Sequence, residues 1–245
     1  MAKAKKRRGL LPWLLTAGFA LGTVYYIASL PDPSVLAKTT PDVTALMALR
    51  SEQAREEGRK FKIRKRWVSL RNISPLLREA IRVSEDGDFY THDGFDFDEI
   101  KDAMEKGIKD GHFRGASTIS QQLIKNIYLS PSRNPMRKVT EAILTHRLEQ
   151  DVEKNRILEL YLNLIEWGDG IFGIEEASRY YFQESAFTLS PAQAVLLAAM
   201  VPMPLKTDPR APSKWLKRRA KRLLDALKSL GRITEEEYAD AAAAI

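Results

Sequence analysis

The chain has 245 residues, 44% of them hydrophobic and 29% charged, which is enough to bury a core and too apolar for a disordered chain. Its formal charge is +7, but Lys3, Lys5, Lys6, Arg7 and Arg8 supply five of those charges at the start. The rest carries only +2, which excludes a polybasic nucleic-acid binder on net charge. There is no cysteine and there are three histidines, His92, His112 and His146. A disulfide scaffold, a thiol nucleophile and a zinc–thiolate site are therefore excluded, and little remains for a multi-histidine metal centre.

Residues 10–30 carry no charged side chain. At ~1.5 Å per residue the segment reaches roughly 30 Å, the thickness of a bilayer's hydrocarbon core. Trp13 lies near one end and Tyr25 and Tyr26 near the other, as interfacial aromatics do. The basic cluster precedes the segment, so the positive-inside rule puts the N-terminus in the cytoplasm and the rest of the chain on the far side. A cleaved signal peptide is the rival reading, but its apolar region is normally only ~7–15 residues long. An uncleaved anchor fits better.

Pro31, Pro33 and Pro41 mark a linker, and residues 42–59 are charged and helix-compatible. Residues 60–73 alternate weakly through Phe61, Ile63, Trp67, Val68 and Leu70, which predicts one short strand. Helix signals dominate after that. Ser74-Pro75 is an N-cap followed by a proline at the first helical position. Ser190 with Gln193, and Thr234 with Glu237, are capping boxes. Residues 156–165 are apolar on most sides and predict a central buried helix. Residues 192–201 are intensely apolar but about half as long as a membrane span requires, and predict another. The expected division is a basic tail (1–9), an anchor (10–30), a linker with a juxtamembrane helix (31–59) and one mainly α domain (60–245).

Three segments could carry chemistry. A helix from Ser117 would set Ser117, Gln121 and Lys125 within ~80° of one another, with Ile119, Leu123 and Ile127 opposite. An ordinary amphipathic surface helix gives the same pattern, yet a solvated face usually mixes Glu with Lys, and this one is uncharged except for Lys125. Arg133 precedes a helix expected to start near Asn134-Pro135. That helix sets Arg137 and Lys138 in its first turn, where the dipole disfavours cations by up to ~1 kcal/mol. Arg137 and Glu141 form an i, i+4 pair in the weaker order. Stability alone would tend to reverse these charges. Anion binding explains them, because guanidinium forks and free helix N–H groups both suit phosphate. Third, Glu85 and Asp86 fall near a helix end, before Gly87. Such a pair can bind metal, act as a general base, or simply be solvated. His92 reads either as a structural histidine or as their partner.

Taken in order, four stretches resemble the successive motifs of the peptidoglycan glycosyltransferases, glycosyltransferase family 51. They are Glu-Asp-x-x-Phe-x-x-His-x-Gly (85–94), Gly-Ala-Ser-Thr-Ile-Ser-Gln-Gln-x-x-Lys-Asn (115–126), Arg-Lys-x-x-Glu (137–141) and Lys-Asn-Arg-Ile-Leu-Glu-x-Tyr-Leu-Asn (154–163). Residues 166–182 look most like the monofunctional branch. The tail at 230–238 looks more like the segment that follows the transferase domain in bifunctional relatives. No Ser-x-x-Lys is present and the chain is too short for a transpeptidase domain. The resemblance covers about residues 67–205. It implies a lysozyme-like α-helical fold and polymerisation of lipid II with inversion at the anomeric carbon, giving β-1,4 linkages.

The resemblance also implies roles for residues. Glu85 matches the general base, with Asp86 beside it, and Glu141 matches a second important carboxylate. Lys125, Arg133 and Arg137 match diphosphate-contacting positions, with Lys138 a further candidate, and Ser117, Gln121 and Gln122 would hold the donor. A divalent cation, Mg or Mn, could sit on the diphosphate with help from Glu141. Residues 94–114 match a mobile, partly membrane-embedded subdomain. The expected partners are lipid II, the nascent strand, membrane lipid and other cell-wall synthases, and no nucleic acid. Two rival readings stay open: a lysozyme-like lytic transglycosylase, and an anchored non-enzymatic binder using the basic stretch Lys214, Lys217, Arg218, Arg219, Lys221 and Arg222.

Overall fold

The computed structural model describes residues 11–110, 117–130, 134 and 136–245. The chain forms two compact units, residues 1–32 and 33–245. The first contains α1 (Leu11–Ser29), whose 19 residues carry no charge and rise about 28 Å. Trp13, Phe19 and Tyr25 on it are each more than 75% exposed. Apolar side chains are stable in that state where lipid replaces water. Among the described residues this is the one helix long and apolar enough to cross a membrane.

In chain order the second unit runs α2 (Ala45–Glu56), β1 (Arg64–Lys65), α3 (Pro75–Glu85), α4 (Phe97–Asp110), α5 (Ile119–Tyr128), α6 (Met136–Asp151), α7 (Lys154–Leu164), β2 (Glu166–Gly168), β3 (Ile171–Phe172), α8 (Ile174–Phe182), α9 (Pro191–Met200), α10 (Lys214–Ser229) and α11 (Glu235–Ala244). The unit is mainly α, as its pattern predicts. The short strand expected within 60–73 is two residues long. It lies parallel to β3, which pairs antiparallel with β2 across an irregular register.

The helix starts follow their cap chemistry. The Ser74 hydroxyl accepts from the Leu77 amide, with Pro75 next in the chain. Ser190 with Gln193, and Thr234 with Glu237, close reciprocal capping boxes. Each such cap is worth about 1 kcal/mol. Helix α2 is capped by Thr44 and packs on α5. Its Met47 and Ala54 are fully buried, so the segment read as a linker helix is part of the folded body.

The core has two centres. Helix α9 is buried at Ala192 and from Ala194 to Met200. Its four alanines let α3, α10 and α11 pack closely against it. Helix α5 lies against α6 and α7 and buries Ile119, Leu123 and Ile127. Asn163, fully buried on α7, ties down the segment before α3. Its amide donates to Val68 O at 2.9 Å and its Oδ1 accepts from the Val68 amide at 2.8 Å. The same turn of α7 passes Gly173, whose φ of +81° is open to glycine, and a Cβ there would lie 2.7 Å from the Asn163 carbonyl oxygen.

Replacing Asn163 with alanine leaves both Val68 backbone groups without their partner. Each buried unsatisfied group costs about 1–3 kcal/mol. Urea unfolding in detergent should show Asn163→Ala less stable by about 2–4 kcal/mol, whereas a loss within error would mean this bridge holds nothing.

Candidate functional site

Helix α3 ends on Glu85, and Asp86 is its C-cap. The two neighbouring acids have different surroundings. Asp86 is 2% exposed. One of its oxygens accepts from the Ile119 amide at the start of α5, at 2.9 Å, and the other contacts His92 Nε2 at 2.9 Å. His92 in turn accepts from the Gly94 amide through Nδ1 at 3.1 Å. Asp86 therefore joins two helices and a loop, and His92 is its structural partner.

Glu85 lies over α5 and α10. Its Oε2 accepts from Gln122 Nε2 at 3.2 Å. Its Oε1 accepts from the Ser84 hydroxyl at 3.2 Å and from Arg219 Nη2 at 3.1 Å. The Gln122 amide is oriented from behind, because the buried Tyr161 hydroxyl donates to its Oε1 at 2.9 Å. Burial raises the Glu85 carboxyl above the usual carboxylate range, although Gln122, Arg219 and Ser84 oppose that rise. Burial likewise holds the Tyr161 phenol well above its ordinary range, reinforced by the charges of Glu85 and Asp86.

Helix α5 starts at Ile119 rather than Ser117, because Thr118 is its cap. This changes which side chains share the open face. Gln121 is buried and its Oε1 accepts from the Thr118 amide at 3.0 Å, closing a capping box. Ser117 precedes the helix and offers its carbonyl to Gln122 Nε2 at 3.3 Å. Gln122, Lys125 and Asn126, spaced at i, i+3 and i+4, line a cavity of about 290 Å³ with Tyr161 and the Arg50–Glu166 pair. Lys125 is exposed by area yet ringed by protein, as a side chain on a groove wall is. Lost hydration lowers its ammonium below the lysine range. Glu141 pulls it back up, Lys138 and Arg137 push it further down, and Glu85 also raises it.

These couplings identify the second patch. Helix α6 starts after Asn134, whose side chain accepts from the Met136 amide at 2.9 Å. Its first turn holds Arg137 and Lys138. Both contact Glu141, which is 3% exposed: Arg137 Nη1 stands 3.7 Å from Oε2 and Lys138 Nζ bonds to Oε1. The structure thus brings Glu85, Gln122, Lys125, Arg137, Lys138 and Glu141 into one neighbourhood. Arg133 lies outside the described residues, as do residues 111–114 of the segment matched to a mobile subdomain. Within that segment, Phe97 at the start of α4 is 74% exposed.

The described residues do not group into a cage for a resident metal. Among the described residues no three His, Asp or Glu side chains are grouped as metal ligands, and the one carboxylate of the cationic patch is already engaged by Lys138 and Arg137.

Arg219 stands apart from the rest of the basic stretch, and the sequence carries a signal for it. Leu216, Ala220, Leu223, Leu224 and Leu227 form the buried stripe of α10. Arg219 falls beside that stripe, three residues after Leu216 and four before Leu223. A charge beside an apolar stripe needs a partner. Tyr161 was hidden in the apolar run of α7. Of the other basic residues, Lys221 pairs with Asp225 at 3.0 Å, and Lys214, Lys217, Arg218 and Arg222 are exposed.

Comparison with known proteins places the chain in a family. Residues 52–228 match the transglycosylase family. The chain is 46% identical over 190 residues to a biosynthetic peptidoglycan transglycosylase of Nitrosospira multiformis, covering 77% of this chain and 83% of that protein. It is 46% identical over 182 residues to one of Laribacter hongkongensis, covering 74% and 80%. It is 43% identical over 200 residues to one of Azoarcus sp., covering 80% and 87%. The chain belongs to the transglycosylase family, whose domain is a lysozyme-like helical fold.

The two acids at the end of α3 should separate in a stability measurement. Asp86→Ala strips the partner from the Ile119 amide and from His92, and should lower stability by about 2–4 kcal/mol. Glu85→Gln should not lower the melting temperature at neutral pH. A carboxyl raised in the fold contributes stability below its unfolded pKa and loses it as pH rises through the folded value, so a neutral amide removes that loss. A melt that ranks the two variants in the opposite order would contradict these assignments.

Proposed function

We propose that this chain polymerises peptidoglycan glycan strands, transferring the growing lipid-diphosphate-linked chain onto lipid II. The reading rests on one juxtaposition: a buried carboxyl with raised proton affinity, Glu85, is bonded to the same face of α5 that carries Lys125 toward Arg137 and Lys138.

In this reading the acceptor sugar's 4-hydroxyl attacks the donor's anomeric carbon. The new C–O bond forms as the bond to the diphosphate oxygen breaks, and the hydroxyl proton passes to Glu85. A single displacement inverts the centre from α to β. Glu85 acts in its ionised form, and its raised pKa brings its basicity closer to that of the task. The diphosphate departs as an anion, so no acid is required at that end. It needs fixed positive charge, which Lys125, Arg137 and Lys138 provide. Glu141 holds Arg137 and Lys138 in place while leaving the patch net positive. Asp86 ties the end of α3 to the start of α5, Gln121 closes the cap of α5, and Gln122 orients Glu85. A divalent cation enters this reading only as a counter-ion carried on the substrate's diphosphate, and no step is routed through it.

A hydrolase of mature glycan would instead need a protonated acid at the glycosidic oxygen and would have no use for the cationic patch. Helix α1 supports a location at the inner membrane, with the basic tail in the cytoplasm and residues 33–245 outside it. There the enzyme meets its lipid-linked substrate and other cell-wall synthases.

Incubation with lipid II and, separately, with mature glycan tests the reading: only lipid II should change. Glu85→Gln should cut polymerisation by roughly 10²–10⁴-fold with the fold intact. The acidic limb of wild-type kcat/KM should lie above the ordinary glutamate range. Arg137→Ala should impair donor use far more than Arg218→Ala on the exposed face of α10, and equal losses would remove the diphosphate patch from the mechanism.

A further inference from the structure

The Glu85 carboxylate is reached from three directions. Ser84 approaches along α3, Gln122 from α5 with Tyr161 of α7 behind it, and Arg219 from α10. Lys125 of α5 and the carboxylate of Asp86 are the other charged groups close enough to share its field or that of its Tyr161 neighbour. Of all these, Arg219 is the one cation bonded directly to it.

The guanidinium is held for this contact. Its Nη2 donates both to the Ser84 hydroxyl at 2.9 Å and to Glu85 Oε1 at 3.1 Å. The Ser84 hydroxyl itself donates to the same Oε1, so cation, hydroxyl and carboxylate close a three-membered ring of hydrogen bonds. Arg219 is 26% exposed and the carboxylate 10%, which leaves the pair poorly screened compared with a surface ion pair. A cavity of about 470 Å³ lined by Ser84, Arg219, Arg222 and Leu223 flanks the guanidinium, so side chains of other shapes fit in its place.

We propose that Arg219 is a positioning residue for the transfer reaction: it fixes the Glu85 carboxylate in one orientation and keeps it ionised against the pull of burial. The proposal rests on the reading of Glu85 as the base. Arg219 needs no contact with either sugar for this role. Without it the carboxyl binds its proton more tightly and a smaller share of the enzyme carries a competent base at a given pH.

The test is the pH profile of lipid II polymerisation by the full-length protein in detergent, with folding checked by circular dichroism. Arg219→Gln should move the acidic limb of kcat/KM up by about half a unit to one unit. It should lower kcat at neutral pH and leave the KM for lipid II within about twofold, because the diphosphate patch is untouched. Arg219→Lys keeps the charge and loses the planar fork. Its limb should stay near the wild-type position while kcat falls several-fold. Uniform loss across pH with an unmoved limb in Arg219→Gln overturns the proposal, and so does a large rise in KM. Should Arg219→Gln fail to fold, Arg219→Lys decides, since wild-type kcat or a limb displaced upward overturns it as well. Glu85→Gln measured alongside separates the two ideas: if that variant polymerises normally, the base assignment fails whatever Arg219 does.

Discussion

A carboxylate taken out of water must be given donors or it takes up a proton, and α3 ends on two carboxylates that meet this constraint in opposite ways. Asp86 is given a backbone N–H and an imidazole, both at 2.9 Å, so each oxygen has a specific partner. Glu85 is given an amide, a hydroxyl and one shared guanidinium nitrogen at 3.1–3.2 Å, and burial still outweighs them. The difference arises because Asp86 faces the unpaired N–H groups at the start of α5, whereas Glu85 faces that helix's side. Once Asp86 is spent on the helix start, the adjoining loop is set too: His92 accepts from the Gly94 amide, and the Thr118 hydroxyl donates to Gly94 O at 2.8 Å. The rigidity that Asp86 confers is what allows Glu85 to stay incompletely satisfied.

Charge is segregated around this point. Lys125, Arg137 and Lys138 face a single buried carboxylate, Glu141, and the patch keeps a net positive charge. Two of the cations sit in the first turn of α6, where the helix end is already positive, so the dipole and the side chains repel each other. The fold offsets that cost with the Glu141 pair and with burial elsewhere on α6, at Leu144 and Leu148. In the proposed reading, this arrangement, unfavourable by itself, becomes favourable with the diphosphate, because Coulomb attraction in a half-desolvated groove is several times stronger than in water.

Much of this was legible in the residues. Proline and serine at helix starts, the apolar faces of α5 and α9, and the short strand all follow from local rules, because caps and periodicity depend on neighbours in sequence. The charge inversion at Arg137 and Lys138 was readable as a cost that stability alone does not explain. Other features were not legible. Ser117 and Gln121 looked like the polar face of α5, but one threonine cap starts the helix two residues later and turns Gln121 toward its own N-terminus. The structural role of Asp86 was not legible, because sequence carries no information on which of two adjacent acids will face a helix end. Arg219 and Tyr161 are 134 and 76 residues from Glu85 in the chain, and only tertiary packing brings them to it.

That distance in sequence has a physical consequence for how the site is held. The groups around Glu85 come from α3, α5, α7 and α10, and none of these helices could set the geometry alone. Helix α9 packs on both α3 and α10. Its alanines fix how closely the two approach, since a side chain of one carbon leaves no rotamer to adjust. A 3.1 Å contact between Arg219 and Glu85 tolerates a shift of only a few tenths of an ångström before it weakens. Helix α9, packed on both, therefore supports the approach of the two helices that bring carboxylate and guanidinium together. In this fold the apolar core and the proton affinity of Glu85 are two aspects of one packing arrangement.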